Sequence, residues 1–213
     1  VLGTGTAFTC VYQAAKMKYG QRWISASGFA PMGYALPAAV GVAFATGKRI
    51  ICIVGDGDLQ FNVQELATIR QHNLPITIFV LSNDGYLAIK HTQASHFGRK
   101  VGADSESGLW FPSLTMLADA YGITYTSITS SRQARGLETI LGLAQELDAV
   151  TAKAPLICEV DMPPTQALIP RVSSKKLPDG SIKSTAIEDM YPFLPRDEFK
   201  AQMIVSPVEV LGE

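Results

Sequence analysis

The segment Ile50–Tyr86, IICIVGDGDLQFNVQELATIRQHNLPITIFVLSNDGY, decides the architecture. Ile50 to Val54 is an apolar run of strand length that stops at Gly55-Asp56-Gly57. Ile76 to Leu81 is a second run, and it stops at Ser82-Asn83-Asp84-Gly85. Between them, Asn62-Val63-Gln64-Glu65 has the form of a capping box, with Asn62 as N-cap and Glu65 reaching back, and predicts a helix from Val63 to Gln71. A strand, helix, strand crossover joins parallel strands and brings both strand ends to one edge of the sheet. Asp56 and Asn83, 27 residues apart in the chain, are therefore expected to be neighbours in space.

Upstream, Thr6 to Tyr19 carries apolar residues at helical spacing and ends in lysines and Gly20, which predicts a helix. Val1 to Gly5 holds a GTGT turn. It lacks the third glycine of a dinucleotide fingerprint, Phe8 standing there instead, but its glycines allow backbone to approach a phosphate. Trp23 to Ser25 is a short strand candidate, Ser27 to Gly33 a loop, and Tyr34 to Ala45 a buried helix of small and apolar residues. Gly47-Lys48 has neither the spacing nor the Ser or Thr of a P-loop.

Downstream, Leu87 to Phe111 is polar without a clean period and reads as a long loop, which in a compact domain is usually functional or mobile. Ser113 to Tyr121 is predicted helical, Ile123 to Thr126 and Pro155 to Val160 are strands, and Arg132 to Thr151 is a long amphipathic helix. This alternation predicts an α/β fold: a single domain over residues 1–161 built on a doubly wound parallel sheet with helices on both faces. Residues 162–213, with seven prolines and one weak helix at Arg196 to Met203, read as a tail packed on that domain.

A length of 213 residues suits one α/β core. The net charge of −1, with acidic and basic residues interspersed, gives no electrostatic case for nucleic acid or an anionic membrane. No apolar stretch reaches a bilayer span, and Cys10, Cys52 and Cys158 are widely spaced, as for reduced core thiols. A soluble, cytoplasmic protein is expected. Val1 is not an initiator methionine, so the chain is open to being part of a longer polypeptide.

Ligands of open α/β sheets bind beyond the C-terminal strand ends, where Asp56 and Asn83 are expected to meet. A carboxylate and an amide oxygen are hard ligands suited to magnesium, which takes few protein oxygens and completes its shell with water and phosphate. Each turn alone is ordinary turn chemistry. Together, at the ends of adjacent parallel strands, they define a site for a phosphate-bearing ligand, with Gly57 letting backbone N–H groups face the anion.

Gly55-Asp56-Gly57 followed by Ser82-Asn83-Asp84-Gly85-Tyr86 resembles the GDG…NN signature of thiamine diphosphate enzymes. Asn62 to Leu66, Asn73-Leu74-Pro75, Phe29 to Pro37 and Leu117 to Gly122 resemble the diphosphate-binding domain of acetolactate synthase-like and pyruvate decarboxylase-like members. The resemblance runs from about Gly3 to Val160. It implies that Asp56, Asn83 and the Gly85 carbonyl hold magnesium bridged to the cofactor diphosphate. It further implies that Thr4, Gly5, Gly55, Gly57 and Asp58 lie near the phosphates, with Ala30, Met32 and Tyr86 also at the cofactor. Met32 would sit under the thiazolium ring and keep the cofactor bent.

Several positions depart from the family pattern. Asp58 stands where relatives often have Ser or Ala, and a carboxylate beside a diphosphate is repulsive unless it caps backbone or meets the metal's water shell. Ser82 replaces the first Asn. Ile89 stands in place of a catalytic Glu of the decarboxylases, and Thr92 in place of a substrate-selecting Trp of branched-chain acetolactate synthases. His91, His96, Lys90 and Arg99 fall in the expected loop, where solvated surface is the default reading and contact with an anionic substrate the alternative. Relatives also need a Glu from a separate pyrimidine-binding domain or subunit, and no segment here supplies one, so no catalytic residue is assigned. The resemblance implies the diphosphate-binding part of an oligomeric transferase or lyase that decarboxylates a 2-oxo acid and joins the remaining fragment to a carbonyl acceptor. The β-type subunit of a split decarboxylase and a non-catalytic cofactor-binding module remain as alternatives.

Overall fold

A computed structural model of the 213-residue chain describes residues 1–129, 154–166, 168–176 and 179–208. The expected helix Arg132 to Thr151 lies outside the described residues. Two compact units are present, Val1–Gln166 and Ala167–Glu213.

The larger unit has the predicted α/β character: a four-stranded parallel sheet flanked by helices. Its strands are β1 (Ile50–Gly55), β2 (Ile76–Ser82), β3 (Thr124–Ile128) and β4 (Leu156–Asp161), arranged β1-β2-β4-β3. Ile50 pairs with Ile76 and Gly55 with Leu81, so β1 and β2 run in step and finish level. Beyond β1, Leu2 bridges to Ile53 in parallel, and its N–H donates to Ile24 O at 2.9 Å. The Gly3-Thr4-Gly5 turn is thereby placed on the same edge as the end of β1.

The helices are α1 (Thr6–Ala14), α2 (Ala35–Thr46), α3 (Asp56–Gln60), α4 (Glu65–Gln71), α5 (Leu87–Phe97) and α6 (Leu114–Tyr121). The core joins Leu36, Ala39 and Ala43 of α2, Leu66 and Ile69 of α4, and Leu114 and Ala118 of α6 to Cys52, Val54, Ile76, Ile78 and Val80 of the sheet. The small residues of α2 let its backbone lie close on β1, as its composition predicts. Helix α6 is capped by the Ser113 side chain accepting from Met116 N and stops at Gly122 in the left-handed region, φ 63°.

Three local expectations are corrected. Helix α1 ends at Ala14 rather than Tyr19, because Met17 and Tyr19 find nothing to bury against and stay exposed, and the Gln21 side chain takes the Lys18 N–H. Asn62 does not cap α4; its amide donates to Gly33 O at 2.8 Å and its Oδ1 accepts from Gln64. Residues 87–97 of the expected loop are helical, and a 3₁₀ turn follows at Ser105–Ser107.

The smaller unit contains the antiparallel pair β5 (Ser174–Lys176) and β6 (Ile182–Ser184) and helix α7 (Arg196–Gln202). Arg196 forms a two-pronged ion pair with Asp189 at 2.8 and 2.9 Å and lies over the Phe199 ring. Among the described residues, no helix is long and apolar enough to cross a membrane.

Cys52 of β1 and Cys158 of β4, separated by β2, are fully buried, and burial pushes the Cys52 thiol up to about 12, whereas Cys10 is half-buried. Reaction needs the thiolate. A disulfide reagent at pH 8 is therefore expected to titrate one slow thiol in the native chain, lost in Cys10→Ser, and three in denaturant. Any thiol reacting in native Cys10→Ser would contradict the packing of β1 and β4.

Candidate functional site

The level finish of β1 and β2 delivers Asp56 against the turn that holds Asn83. Asp56, 6% exposed, accepts from Gly57 N on Oδ1 at 2.7 Å and from both Asn83 N and Gly85 N on Oδ2 at 3.0 Å. The expected proximity of Asp56 and Asn83 is thus a direct hydrogen bond. Burial raises the Asp56 carboxyl above its ordinary value, and the three N–H donors together with the charge of Lys90 oppose that rise.

Asn83 is 3% exposed. Its Nδ2 donates to Thr6 Oγ1 at 3.3 Å, which brings the side chain to the first turn of α1. Its Oδ1 is buried without a hydrogen-bond partner, the single such side-chain atom found among the described residues. An unsatisfied buried acceptor costs about 1–3 kcal/mol. Such an atom, on the residue whose backbone N–H bonds Asp56, is suited to a cation.

The turn itself is held rigidly. Gly85 adopts φ +110°, and a Cβ there would lie 2.3 Å from Ala103 O. Tyr86 N donates to Ala103 O at 2.9 Å, and the Asp84 carboxylate accepts from Ser105 N and Ser105 Oγ at 3.3 and 2.8 Å. Residues 103–105, expected to lie in an open loop, therefore fasten the turn. The Tyr86 ring packs on Gly57, where a Cβ would fall 2.3 Å from Tyr86 Cε1. Gly57 is thus glycine because the ring fills its Cβ space, and its N–H, expected to face an anion, is given to Asp56.

Asp58 organises a second group. Its Oδ2 accepts from Thr4 N at 3.1 Å and its Oδ1 from Gly33 N, so the carboxylate ties the Gly3-Thr4-Gly5 turn to the loop bearing Ala30 and Met32. Gly3 has no room for a Cβ, which would sit 1.9 Å from Asp58 Oδ2. Asp58 is 5% exposed and its carboxyl is raised by burial. Of the two roles open to it in the sequence, the structure has the backbone-capping one, and the Thr4 N–H is likewise taken. Gly55 forms the end of β1, Gly5 stands at the N-cap of α1 with φ 63°, and Ala30 has φ 50°. Met32 is 36% exposed.

Among the described residues no cluster of three or more His, Cys, Asp or Glu side chains is positioned for a metal. The groups brought together here are the Asp56 carboxylate and the Asn83 amide. A cleft of about 560 Å³ adjoins the same turn at the ends of β2 and β4, lined by Asp56, Asn83, Asp84, Trp110 and Glu159. Lys90, expected on solvated surface, is buried, with its ammonium on the carbonyls of Asn83 and Asp84 at 3.0 Å each. Thr6, Lys90 and Ser105 have no motif in the sequence to single them out.

Comparison with known proteins identifies the family. Residues 3–157 match the family model described as thiamine pyrophosphate enzyme, C-terminal TPP binding domain, and the chain belongs to that family. It is 38% identical over 121 residues to an acetolactate synthase large subunit of Cyanidium caldarium, covering 56% of this chain and 20% of that protein. It is 30% identical over 165 residues to the acetolactate synthase large subunit of Porphyra purpurea, covering 77% and 26%. It is also 30% identical over 183 residues to acetolactate synthase 3, chloroplastic, of Brassica napus, covering 82% and 27%. The matched region spans only about a fifth to a quarter of these relatives.

The turn geometry predicts the response to a single methyl group. Gly85→Ala places a Cβ on backbone at a strained φ and is expected to lower the urea-unfolding free energy by about 2 kcal/mol or more. Gly98→Ala, at φ +62° with nothing within 4 Å, should cost only about 1 kcal/mol. Equal costs would show that Ala103 does not hold the turn.

Proposed function

We propose that this chain binds the diphosphate end of thiamine diphosphate through magnesium, as the diphosphate-binding part of an enzyme that decarboxylates a 2-oxo acid and joins the remaining fragment to a carbonyl acceptor. The observation carrying this reading is the unpartnered, buried Asn83 Oδ1 beside the Asp56 carboxylate, at the first turn of α1. Asp56 supplies the negative charge, Asn83 Oδ1 and the Gly85 carbonyl complete the protein's oxygens, and phosphate and water fill the other positions of an octahedral magnesium. Gly5 opens α1, whose free N–H groups suit a phosphate. Met32 stands on the loop that Asp58 and Asn62 hold in place, where an apolar side chain can set the conformation of the bound cofactor. Thiamine diphosphate, when bound, supplies the electron sink for cleavage beside a carbonyl.

The chain's own part is to bind and orient. Catalysis requires a glutamate from a pyrimidine-binding domain or subunit, and exposed Phe29 and half-exposed Met32 on the loop beside the site suit contact with such a partner. Ile89, in place of an acid, favours joining the fragment to a carbonyl acceptor over its release as an aldehyde.

Isothermal titration of the chain with thiamine diphosphate should give binding that disappears on removal of magnesium with EDTA. Asp56→Ala and Asn83→Ala each remove a charge-assisted or metal contact of about 1.5–3 kcal/mol and should weaken it roughly 10- to 100-fold. Binding without magnesium, or undiminished in Asp56→Ala, would overturn the assignment. Supplied with pyruvate, magnesium and thiamine diphosphate, the chain alone should show no turnover; appreciable carbon dioxide release would disprove the need for a partner glutamate.

A further inference from the structure

Lys90 breaks two local rules. It lies in the first turn of α5, where a cation faces the positive end of the helix dipole, and at 6% exposure it is among the rarest of buried side chains. Its ammonium donates to Asn83 O and Asp84 O, both at 3.0 Å, so its direct partners are neutral carbonyls, and among the described residues no carboxylate compensates it at contact distance. The nearest compensation is electrostatic, from Asp56 across the turn. A placement this unfavourable locally points to a purpose in the tertiary structure.

The two carbonyls belong to the turn that must aim Asn83 Oδ1 and the Gly85 carbonyl at the point Asp56 faces. The other fasteners grip different atoms: Ser105 the Asp84 side chain, and Ala103 the Tyr86 N–H. Each peptide whose carbonyl Lys90 holds has its plane fixed, and with it the direction of the next residue's N–H. The Asp84–Gly85 peptide is one of them, and its N–H is the donor to Asp56 Oδ2.

We propose that Lys90 is a positioning residue for the cation site, pinning the Asn83 and Asp84 carbonyls so that the oxygens of Asp56, Asn83 and Gly85 are preorganised before the metal arrives. The inference rests on the magnesium reading above and deepens it. Outer-shell partners of metal ligands typically change metal affinity about 10- to 100-fold when removed. The positive charge of Lys90 also repels the arriving metal; the preorganisation dominates, because the ammonium is turned to carbonyls that are not ligands.

Manganese is the probe, its free ion counted by electron paramagnetic resonance in the presence of thiamine diphosphate, with urea-unfolding midpoints measured in parallel. Lys90→Met and the hydrogen-bonding Lys90→Gln should weaken manganese binding by about 10-fold or more per folded molecule. Lys90→Arg, which can still donate to both carbonyls, should recover most of it, and Lys48→Met, exposed just before the start of β1 at the opposite end of the strand from the turn, should leave it unchanged. If Lys90→Met does not fold, Lys90→Gln and Lys90→Arg carry the comparison. Wild-type affinity in Lys90→Gln, or losses that track the urea midpoint and vanish per folded molecule, would overturn the role of Lys90. Failure of the wild type to bind manganese would instead overturn the metal reading, and this inference with it.

Discussion

The carboxylate of Asp56 is the group on which the larger unit's working edge depends. It sits just past β1, and its oxygens accept N–H donors from its own helix and from the turn after β2. A buried ion is costly unless its hydrogen-bonding capacity is met, and three backbone donors meet much of it here. Because two of those donors come from Asn83 and Gly85, the same bonds that solvate the charge fix the turn presenting the other oxygens. The parallel register makes this possible: had β2 ended one residue out of step with β1, the turn's N–H groups would point elsewhere.

Two aspartates two residues apart do different work. Asp56 has a buried lysine nearby and an unpartnered acceptor beside it, an environment that a divalent cation would complete. Asp58 has only backbone donors, from Thr4 and Gly33, and links two loops that the chain leaves far apart. Burial raises both carboxyls, but each Asp58 oxygen is engaged by a backbone N–H, in a space that even Gly3 must leave empty. A small residue at position 58 could not make this link.

The strand, helix, strand unit and the meeting of Asp56 with Asn83 were legible because apolar runs and turn chemistry are local signals, and parallel topology converts them into proximity. The helix Leu87–Phe97 was not, since its polar sequence has no apolar period; its one local mark is Gly98, left-handed at the C-terminus. Lys90 was illegible for the same reason: nothing in a lysine's neighbours along the chain tells that its ammonium will be buried against a turn six residues upstream. Asn62 misled in the opposite sense. Its spacing from Glu65 satisfies the capping rule, but Gly33, 29 residues earlier, competes for its amide and wins. Tertiary partners override local grammar where the loops converge on the site.

An unsatisfied Asn83 Oδ1 is a cost that the fold carries alone and that a bound cation removes. A ligand that binds the native state and not the unfolded chain stabilises it by mass action, so the site and the stability of the edge are coupled. The direction of that coupling follows from the contacts. Lys90, Ser105 and Ala103 hold the turn in a geometry that leaves an orphan acceptor and a buried cation. On the magnesium reading proposed above, the orphan acceptor raises the free energy of this edge, and a cation bound there would lower it.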